Sequence, residues 1–368
     1  MYLTFLTKTA PQQLTWEDIL NDPYLTIENI PRLPKKKITK EISEEYAKQL
    51  WEKRKPNNNN TIAFDFDITQ FNTAEHYTHF TIPKKSNPNK RRQIDAPDEI
   101  LSTYQVSYKT YIEDILQVLP HKAAHAYVKN RSTVTAMQTH QKNNSKWYLQ
   151  MDLKDFFNSI NGTWLKKMLL EVYPFKYIPE NKLDDIIKIS LLNGVLPQGS
   201  HLSPTLTNLA MVPIDYDIAE TLHNYKGHHY VYTRYADDIT ISCKEKFDPK
   251  EIINVIKNIF FRKWEVPFKI NNEKTRFGST AGRNYHLGII VNKDNQLSIG
   301  HEKNQKFRAQ IFNFCTVGEE WNIHDIQKML GLISYYRAIE PAFVEKVLEK
   351  YGTKFNMDIE KRAKELIR

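Results

Sequence analysis

The sequence predicts an α+β fold in which short antiparallel hairpins alternate with amphipathic helices, and two observations carry that prediction. Runs of alternating bulky and β-branched residues come in pairs joined by turn formers, as in Val231-Tyr232-Thr233-Arg234 and Ile239-Thr240-Ile241-Ser242 on either side of Tyr235-Ala236-Asp237-Asp238. Between such pairs lie longer stretches with apolar residues at helical spacing, as over residues 100–119 and 252–264. With 368 residues and no internal repeat, the chain is long enough for two or three subdomains around a sizeable core.

The elements follow in order. Up to about residue 51 the chain reads as helical pieces, with Thr15-Trp16-Glu17-Asp18 as a capping box, a basic run Lys35-Lys36-Lys37, and a charged amphipathic helix over 42–53. Residues 55–60 carry turn formers without any hydrophobic period and read as a surface loop or linker. Strands at 77–82 and 91–96 flank a polar turn at 83–90, which makes a basic hairpin. Helices at 100–119 and 134–141, a strand at 147–153, a helix from about 163, another through Asp184-Asp185 to 192, a loop at Asn193-Gly194 and a helix over about 203–221 lead to the hairpin at Asp237. A helix at 252–264, a hairpin of 285–291 with 296–299, and a helical remainder to residue 368 complete the chain.

Composition narrows the function. Lys and Arg number 52 against 43 Asp and Glu, a net charge of +9 with a pI near 9.1, which suits a polyanionic partner. Two cysteines, Cys243 and Cys315, with no C-x-x-C and no zinc quartet among the His and Cys positions, argue against a disulfide scaffold and structural zinc. The first residues lack a basic leader and no apolar run reaches membrane length, so a soluble, cytoplasmic protein is expected.

The chemistry concentrates in three places. Asp237 and Asp238 fall at a hairpin tip, and adjacent carboxylates repel unless a cation sits between them, so the pair reads as a divalent-metal site. The plainer reading is a solvated turn, since Asp favours turns. The apolar strand ending at Asp152 carries a carboxylate that would be costly to bury alone, which makes Asp152 a third candidate ligand. A helix N-cap is its alternative role, and the stronger one for Asp155. In Leu196-Pro197-Gln198-Gly199-Ser200-His201-Leu202-Ser203-Pro204, Gly199 permits close backbone approach, Ser203 caps a helix and Pro204 sits in its first turn, presenting Gln198 and free amides to a ligand.

In this order, Asp152 to Phe157, the Q-G-x-x-x-S-P run from Gln198 to Pro204 and the Y-x-D-D run from Tyr235 to Asp238 resemble motifs A, B and C of reverse transcriptases. The resemblance extends from about residue 75 to 345. Ile82-Pro83-Lys84-Lys85 and Arg91 to Pro97 look like the fingers hairpin, Asn272 to Thr275 like motif D, Tyr285 to Gly288 like the primer grip, and Gly331 to Pro341 like a thumb helix. It implies a right-hand polymerase with an antiparallel palm sheet packed by helices and a helical thumb. The corresponding division is 1–60 as N-terminal extension and linker, 61–145 as fingers, 146–290 as palm with helices over 163–222, and 291–368 as the end of the primer-grip hairpin and the thumb.

Carried over residue by residue, the family implies Asp152, Asp237 and Asp238 as catalytic metal ligands for two Mg²⁺ ions, with Mn²⁺ as a substitute. It implies nucleotide contacts from Lys84 or Lys85, Arg91 or Arg92, Asp155, Phe156, Gln198, Gly199, Tyr235 and Ala236, a steric gate against a 2′-hydroxyl at Phe157, and a proton for pyrophosphate from Lys274. His286, Leu287 and Gly288 would hold the primer. Lys303, Lys306, Arg308, Arg337 and Lys346, interspersed with Phe307, Phe312, Tyr335 and Tyr336, are candidates for gripping RNA.

Within the family, no fused nuclease is expected, and Ser203-Pro204 argues against diversity-generating retroelements. Retron and abortive-infection type defence enzymes remain. Thr135 stands where retron enzymes carry Asn upstream of His140, and His286-Leu287-Gly288 replaces their V-T-G, so the reading leans to a defence-associated relative that copies a dedicated noncoding RNA, with a retron enzyme making branched RNA–DNA as the alternative. The expected partners are that RNA, the DNA product, deoxynucleotides and an accessory defence effector, with self-association open and no membrane. Template-independent or protein-primed synthesis and a non-catalytic RNA-binding scaffold are the competing classes; the scaffold has no need of all three acids.

Overall fold

The computed structural model describes residues 68, 71–84, 87–223, 225–282 and 285–367; the expected N-terminal helices, the linker and Lys85 lie outside them. In chain order the elements are β1 (Tyr77–Lys84), β2 (Asn87–Pro97), α1 (Glu99–Thr110), α2 (Thr133–Lys142), β3 (Trp147–Lys154), α3 (Gly162–Leu170), α4 (Glu180–Ser190), α5 (Ser203–Ala210) and α6 (Val212–His223). The catalytic-candidate hairpin is β4 (Val231–Tyr235) and β5 (Asp238–Cys243), followed by α7 (Pro249–Lys257) and β6 (Lys269–Ser279). Short strands β7 (Tyr285–His286), β8 (Ile289–Val291) and β9 (Leu297–Ser298) precede helices α8 (His301–Val317), α9 (Ile323–Ile339), α10 (Pro341–Phe355) and α11 (Ile359–Leu366).

The chain divides into two compact units, each assembled from three separate segments: 1–122, 154–218 and 256–269 in the first, and 123–153, 219–255 and 270–368 in the second. In the first unit β1 and β2 pair antiparallel with Tyr77 opposite Pro97, and they extend through most of the segment read as a turn. Asp98 starts α1 by accepting the Leu101 amide at 2.9 Å. One buried polar side chain ties this unit together: the Gln105 amide donates to Tyr77 Oη (2.9 Å) and to the Ile189 carbonyl (3.1 Å). Its oxygen accepts from Ser200 Oγ (3.0 Å) and the His201 amide (3.1 Å). A buried amide with every group satisfied fixes its neighbours, because losing any one bond leaves a desolvated polar atom.

Three sequence expectations change here. The helix expected over 203–221 is two helices broken at Met211, because Pro213 can neither donate to the carbonyl four residues back nor avoid its bulk. Ser203 does not cap α5; Leu202 holds the cap position without a side-chain bond, while Ser200 Oγ accepts the Leu202 amide at 3.2 Å. Neither Asp152 nor Asp155 caps α3, whose first turn is capped by Asn161 through the Trp164 amide at 2.9 Å.

The second unit holds a four-stranded sheet in the order β4-β5-β3-β6 and a three-stranded sheet β7-β8-β9. The stretch 285–291 is thus not one strand: Leu287 (φ 53°) and Gly288 (φ 81°) turn it back on itself, the two positive angles of a tight hairpin. A continuous apolar core joins Met137 of α2 and Tyr148 of β3 to Ile289 and Ile299, and on through Phe307, Ile311, Met329, Ile333, Val344 and Ala363 of the last four helices. Burial of such side chains at about 25 cal/mol per Å² is what holds short strands and helices of low intrinsic stability in place.

Candidate active site

β3 and β5 run antiparallel with Asp152 directly opposite Asp238, and β4 pairs with β5 so that Tyr235 faces Asp238 across the two-residue turn Ala236-Asp237. Directly opposed residues on neighbouring strands share a face, so register alone sets the Asp152 and Asp238 carboxylates side by side. Ala236 adopts φ 55°, the positive angle this short turn demands, and the Asp237 carbonyl accepts the Leu153 amide at 2.9 Å, which fastens the turn to β3. Beneath it, Arg234 is fully buried in β4, exchanges backbone bonds with Ala123 and His125, and points a guanidinium N–H at the Ala236 carbonyl 3.4 Å away.

The acids differ in surroundings. Asp152 is buried, and both its oxygens are engaged: Lys274 Nζ lies 2.6 Å from Oδ1 and Asn271 Nδ2 donates to Oδ2 at 3.0 Å. That contact raises the Lys274 ammonium above its ordinary value. Solvent reaches part of the Asp238 side chain, yet the protein crowded around its carboxyl, and then the charges of Asp237 and Asp152, push it up to about 6 against the opposing pull of Lys274. The three carboxylates that register and turn bring together offer oxygen donors, the set that hard divalent cations take. The residues therefore fit a divalent-metal site, and the plainer reading of a solvated turn does not account for the charge drawn in from β3.

Other expected residues distribute as follows. Tyr235 ends β4 opposite Asp238, and Ala236 is the first residue of the turn. His286, Leu287 and Gly288 belong to the second unit: His286 is buried with its ring 4.4 Å from that of Tyr148, and Lys303 donates to the Gly288 carbonyl at 2.6 Å. Lys84, Arg91, Arg92, Asp155, Phe156, Phe157, Gln198 and Gly199 belong to the first unit. Arg91 spends its guanidinium across the hairpin on Thr81 Oγ1 (2.5 Å) and the Thr81 carbonyl (2.8 Å), whereas Arg92 is exposed and unpaired among the described residues. Asp155 holds φ 51°, Phe156 is buried against Phe268 at 5.1 Å, and Phe157 is half-buried beside Phe156. The Gln198 carbonyl accepts the Asp95 amide at 2.8 Å, and a Cβ on Gly199 (φ 130°) would meet the Asp95 carbonyl at 2.6 Å, so only glycine fits.

Among the proposed RNA-gripping residues, Phe307 and Tyr336 are core instead, packed edge to face at 5.3 Å, while Phe312 and Tyr335 remain exposed. Arg337 is taken up by Glu345 and Glu360. Asn271 and the strand that carries it escaped sequence reading. β6 is rich in Asn, Lys and Glu, residues of low strand propensity tolerated at a sheet edge, and only alternation around Ile270 and Phe277 marks it.

Residues 82–312 match the family model described as "Reverse transcriptase (RNA-dependent DNA polymerase)". The chain is 30% identical over 300 residues to the Retron Ec83 reverse transcriptase of Escherichia coli, covering 78% of this chain and 91% of that one. It is 29% identical over 247 residues to the Retron Ec73 enzyme of the same organism, covering 65% and 77%, and 27% identical over 291 residues to the Retron Mx65 enzyme of Myxococcus xanthus, covering 75% and 64%. Among solved structures, the apo telomerase of Candida tropicalis aligns with a TM-score of 0.42 at 12% identity over 79% of this chain and 61% of that one.

Proposed function

Because the chain belongs to the reverse transcriptases, and among them to the bacterial retron type, we propose that its RNA-directed DNA synthesis is carried by Asp152, Asp237 and Asp238 as ligands of two Mg²⁺ ions, with Mn²⁺ as a substitute. The enzyme is a nucleotidyltransferase dependent on divalent metal, binds an RNA template and makes DNA. Thr135 and His286-Leu287-Gly288, the departures that favoured a defence relative, do not remove it from the retron type. The observation that supports the ligand assignment is the register pairing of Asp152 with Asp238 beside the turn residue Asp237. When bound, such ions lower the barrier by stabilising charge on the attacking 3′-hydroxyl and the departing pyrophosphate.

The chain's own residues set the rest. Lys274 neutralises Asp152, and on substrate binding its ammonium would donate a proton to the leaving group. Arg92, with no side-chain partner among the described residues where Arg91 is spent, would be the better phosphate contact, together with Lys84 or Lys85; Gln198, Gly199, Tyr235 and Ala236 would line the nucleotide, and Phe157 would reject the 2′-hydroxyl. The template would be a dedicated noncoding RNA copied in the cytoplasm in anti-phage defence, with an effector protein as partner. Among the described residues no helix is long and apolar enough to cross a membrane.

Primer extension on an RNA template with Mg²⁺ and labelled deoxynucleotides tests this reading, alongside sequencing of co-purified nucleic acid. Asp152→Asn, Asp237→Asn and Asp238→Asn should each lower the rate by three orders of magnitude or more, as expected when charge stabilisation is removed. Synthesis surviving in all three would sink the ligand assignment.

A further inference from the structure

The hairpin that carries the aspartates at its turn carries a second cluster at its open end. β5 finishes at Cys243, Glu245 follows it, and His228 lies three residues before β4. Each of these side chains offers one ligand atom, and the three atoms all lie within 4.8 Å of one another. The Cys243 Sγ is 3.2 Å from Glu245 Oε2, and His228 Nδ1 is 3.7 Å from that same oxygen. Cys243 is fully buried and His228 half-buried, while Glu245 is exposed, so the cluster opens to solvent on its carboxylate side.

We propose that His228, Cys243 and Glu245 bind one transition-metal ion of the zinc class, distinct from the ions of polymerisation, with water as the fourth ligand. Imidazole nitrogen, thiolate and carboxylate form a borderline-soft donor set suited to tetrahedral Zn²⁺ or Co²⁺. Mg²⁺, which prefers six oxygens and dehydrates reluctantly, does not compete for it. A trio completed by a carboxylate leaves no quartet of His and Cys in the sequence.

Without metal, burial holds the Cys243 thiol above its ordinary value, and its proton is shared with Glu245, whose carboxyl is lowered chiefly by that bond. Binding replaces this proton: the S–H bond breaks, a sulfur–metal bond forms, and H⁺ leaves to solvent, so affinity rises with pH. The ion would then bridge the two strand ends beyond the last pair, Val231 with Ser242. Cys243 lies five residues along β5 from Asp238, roughly 16 Å at the rise of a strand, too far to share a ligand with the acidic turn.

The test is titration of metal-stripped, untagged full-length protein with Co²⁺ in excess Mg²⁺, followed by near-ultraviolet absorption. One equivalent should give a thiolate-to-cobalt charge-transfer band that Zn²⁺ displaces, and Cys243→Ser should abolish it. Because Cys243 is buried, His228→Gln and Glu245→Gln, both at solvent-reached positions, guard against loss of fold; each should weaken binding tenfold or more with an unchanged far-ultraviolet circular dichroism spectrum. Absence of the band in the wild type, or identical titrations in the His228 and Glu245 variants, overturns the proposal.

Discussion

Asp238 shows what gathering carboxylates at one turn costs the metal-free protein. Its carboxyl sits at about 6 where an unfolded Asp titrates near 3.8, so the folded state binds the proton more tightly. A raised carboxyl contributes stability below the unfolded value and loses it as pH rises through the folded one, so the metal-free protein is penalised at neutral pH. Asp238→Asn should therefore stabilise chelator-treated protein at pH 7.5 by about 1 kcal/mol after discounting for solvent screening, read as a higher melting temperature, while synthesis is lost. Thermal melts in chelator at pH 5 and 7.5 check the sign: the gain should be smaller at the lower pH, and it vanishes only below the unfolded value of 3.8. Mg²⁺ affinity, read from protection against melting, should fall as pH drops below about 6, because protons then compete for the same oxygen.

Lys274 carries the complementary prediction. Among the described residues it is the lysine that contacts Asp152, and Lys274→Met leaves a buried carboxylate with Asn271 as its remaining partner there. The variant should melt lower than wild type in chelator and should recover more of that loss on adding Mg²⁺. A melting curve indifferent to both changes would remove Lys274 from the site.

At the scale of elements, the loop before α5 separates glycines that matter from those that do not. Gly199→Ala drives a Cβ to 2.6 Å from the Asp95 carbonyl at φ 130°, at about 2–3 kcal/mol, and should raise the KM for deoxynucleotides tenfold or more. Gly194→Ala, at φ 82° with nothing within 4 Å, should cost only about 1 kcal/mol and leave KM unchanged. Steady-state kinetics with both variants checks the contrast.

Elements whose chemistry is local were legible in the sequence. Alternation around Tyr235 to Asp238 marked β4 and β5, and an apolar run marked β3 up to Asp152, because strand period and burial are written in consecutive residues. What escaped depends on partners distant in the chain. β6 is a strand because β3 offers it an edge, the break at Met211 turns on a single proline, and only the packing of α8 against α9 separates the core aromatics Phe307 and Tyr336 from the exposed Phe312 and Tyr335. Asn271 gives no signal of its own; a side chain 119 positions from Asp152 is connected to it only by the fold.

For the molecule as a whole, three buried histidines set the acid limit. Burial, then neighbouring histidines, lowers His140 to about 3; burial lowers His286 to about 4, and burial with Arg131 lowers His125 to about 4. His140 is pinned as a neutral ring between Ser242 Oγ (2.6 Å) and Thr233 Oγ1 (2.8 Å), joining α2 to both strands of the acidic hairpin. Depressed values mean stability present above pH 6.5 and lost as pH falls from there towards 4, the reverse of the Asp238 effect. Each histidine contributes up to about 1.4 kcal/mol per pH unit over that range. Denaturant unfolding at pH 7 and 5 should show a loss of several kcal/mol, and His140→Gln should flatten the dependence. With a net charge of +9, RNA affinity should fall by about two orders of magnitude or more between 50 and 200 mM salt, measurable by filter binding.

The chain passes between its two units five times, at 122/123, 153/154, 218/219, 255/256 and 269/270. No single cut releases either as an autonomous fragment, and no one recombination event between genes could exchange one for a foreign counterpart. The two units must therefore be inherited together.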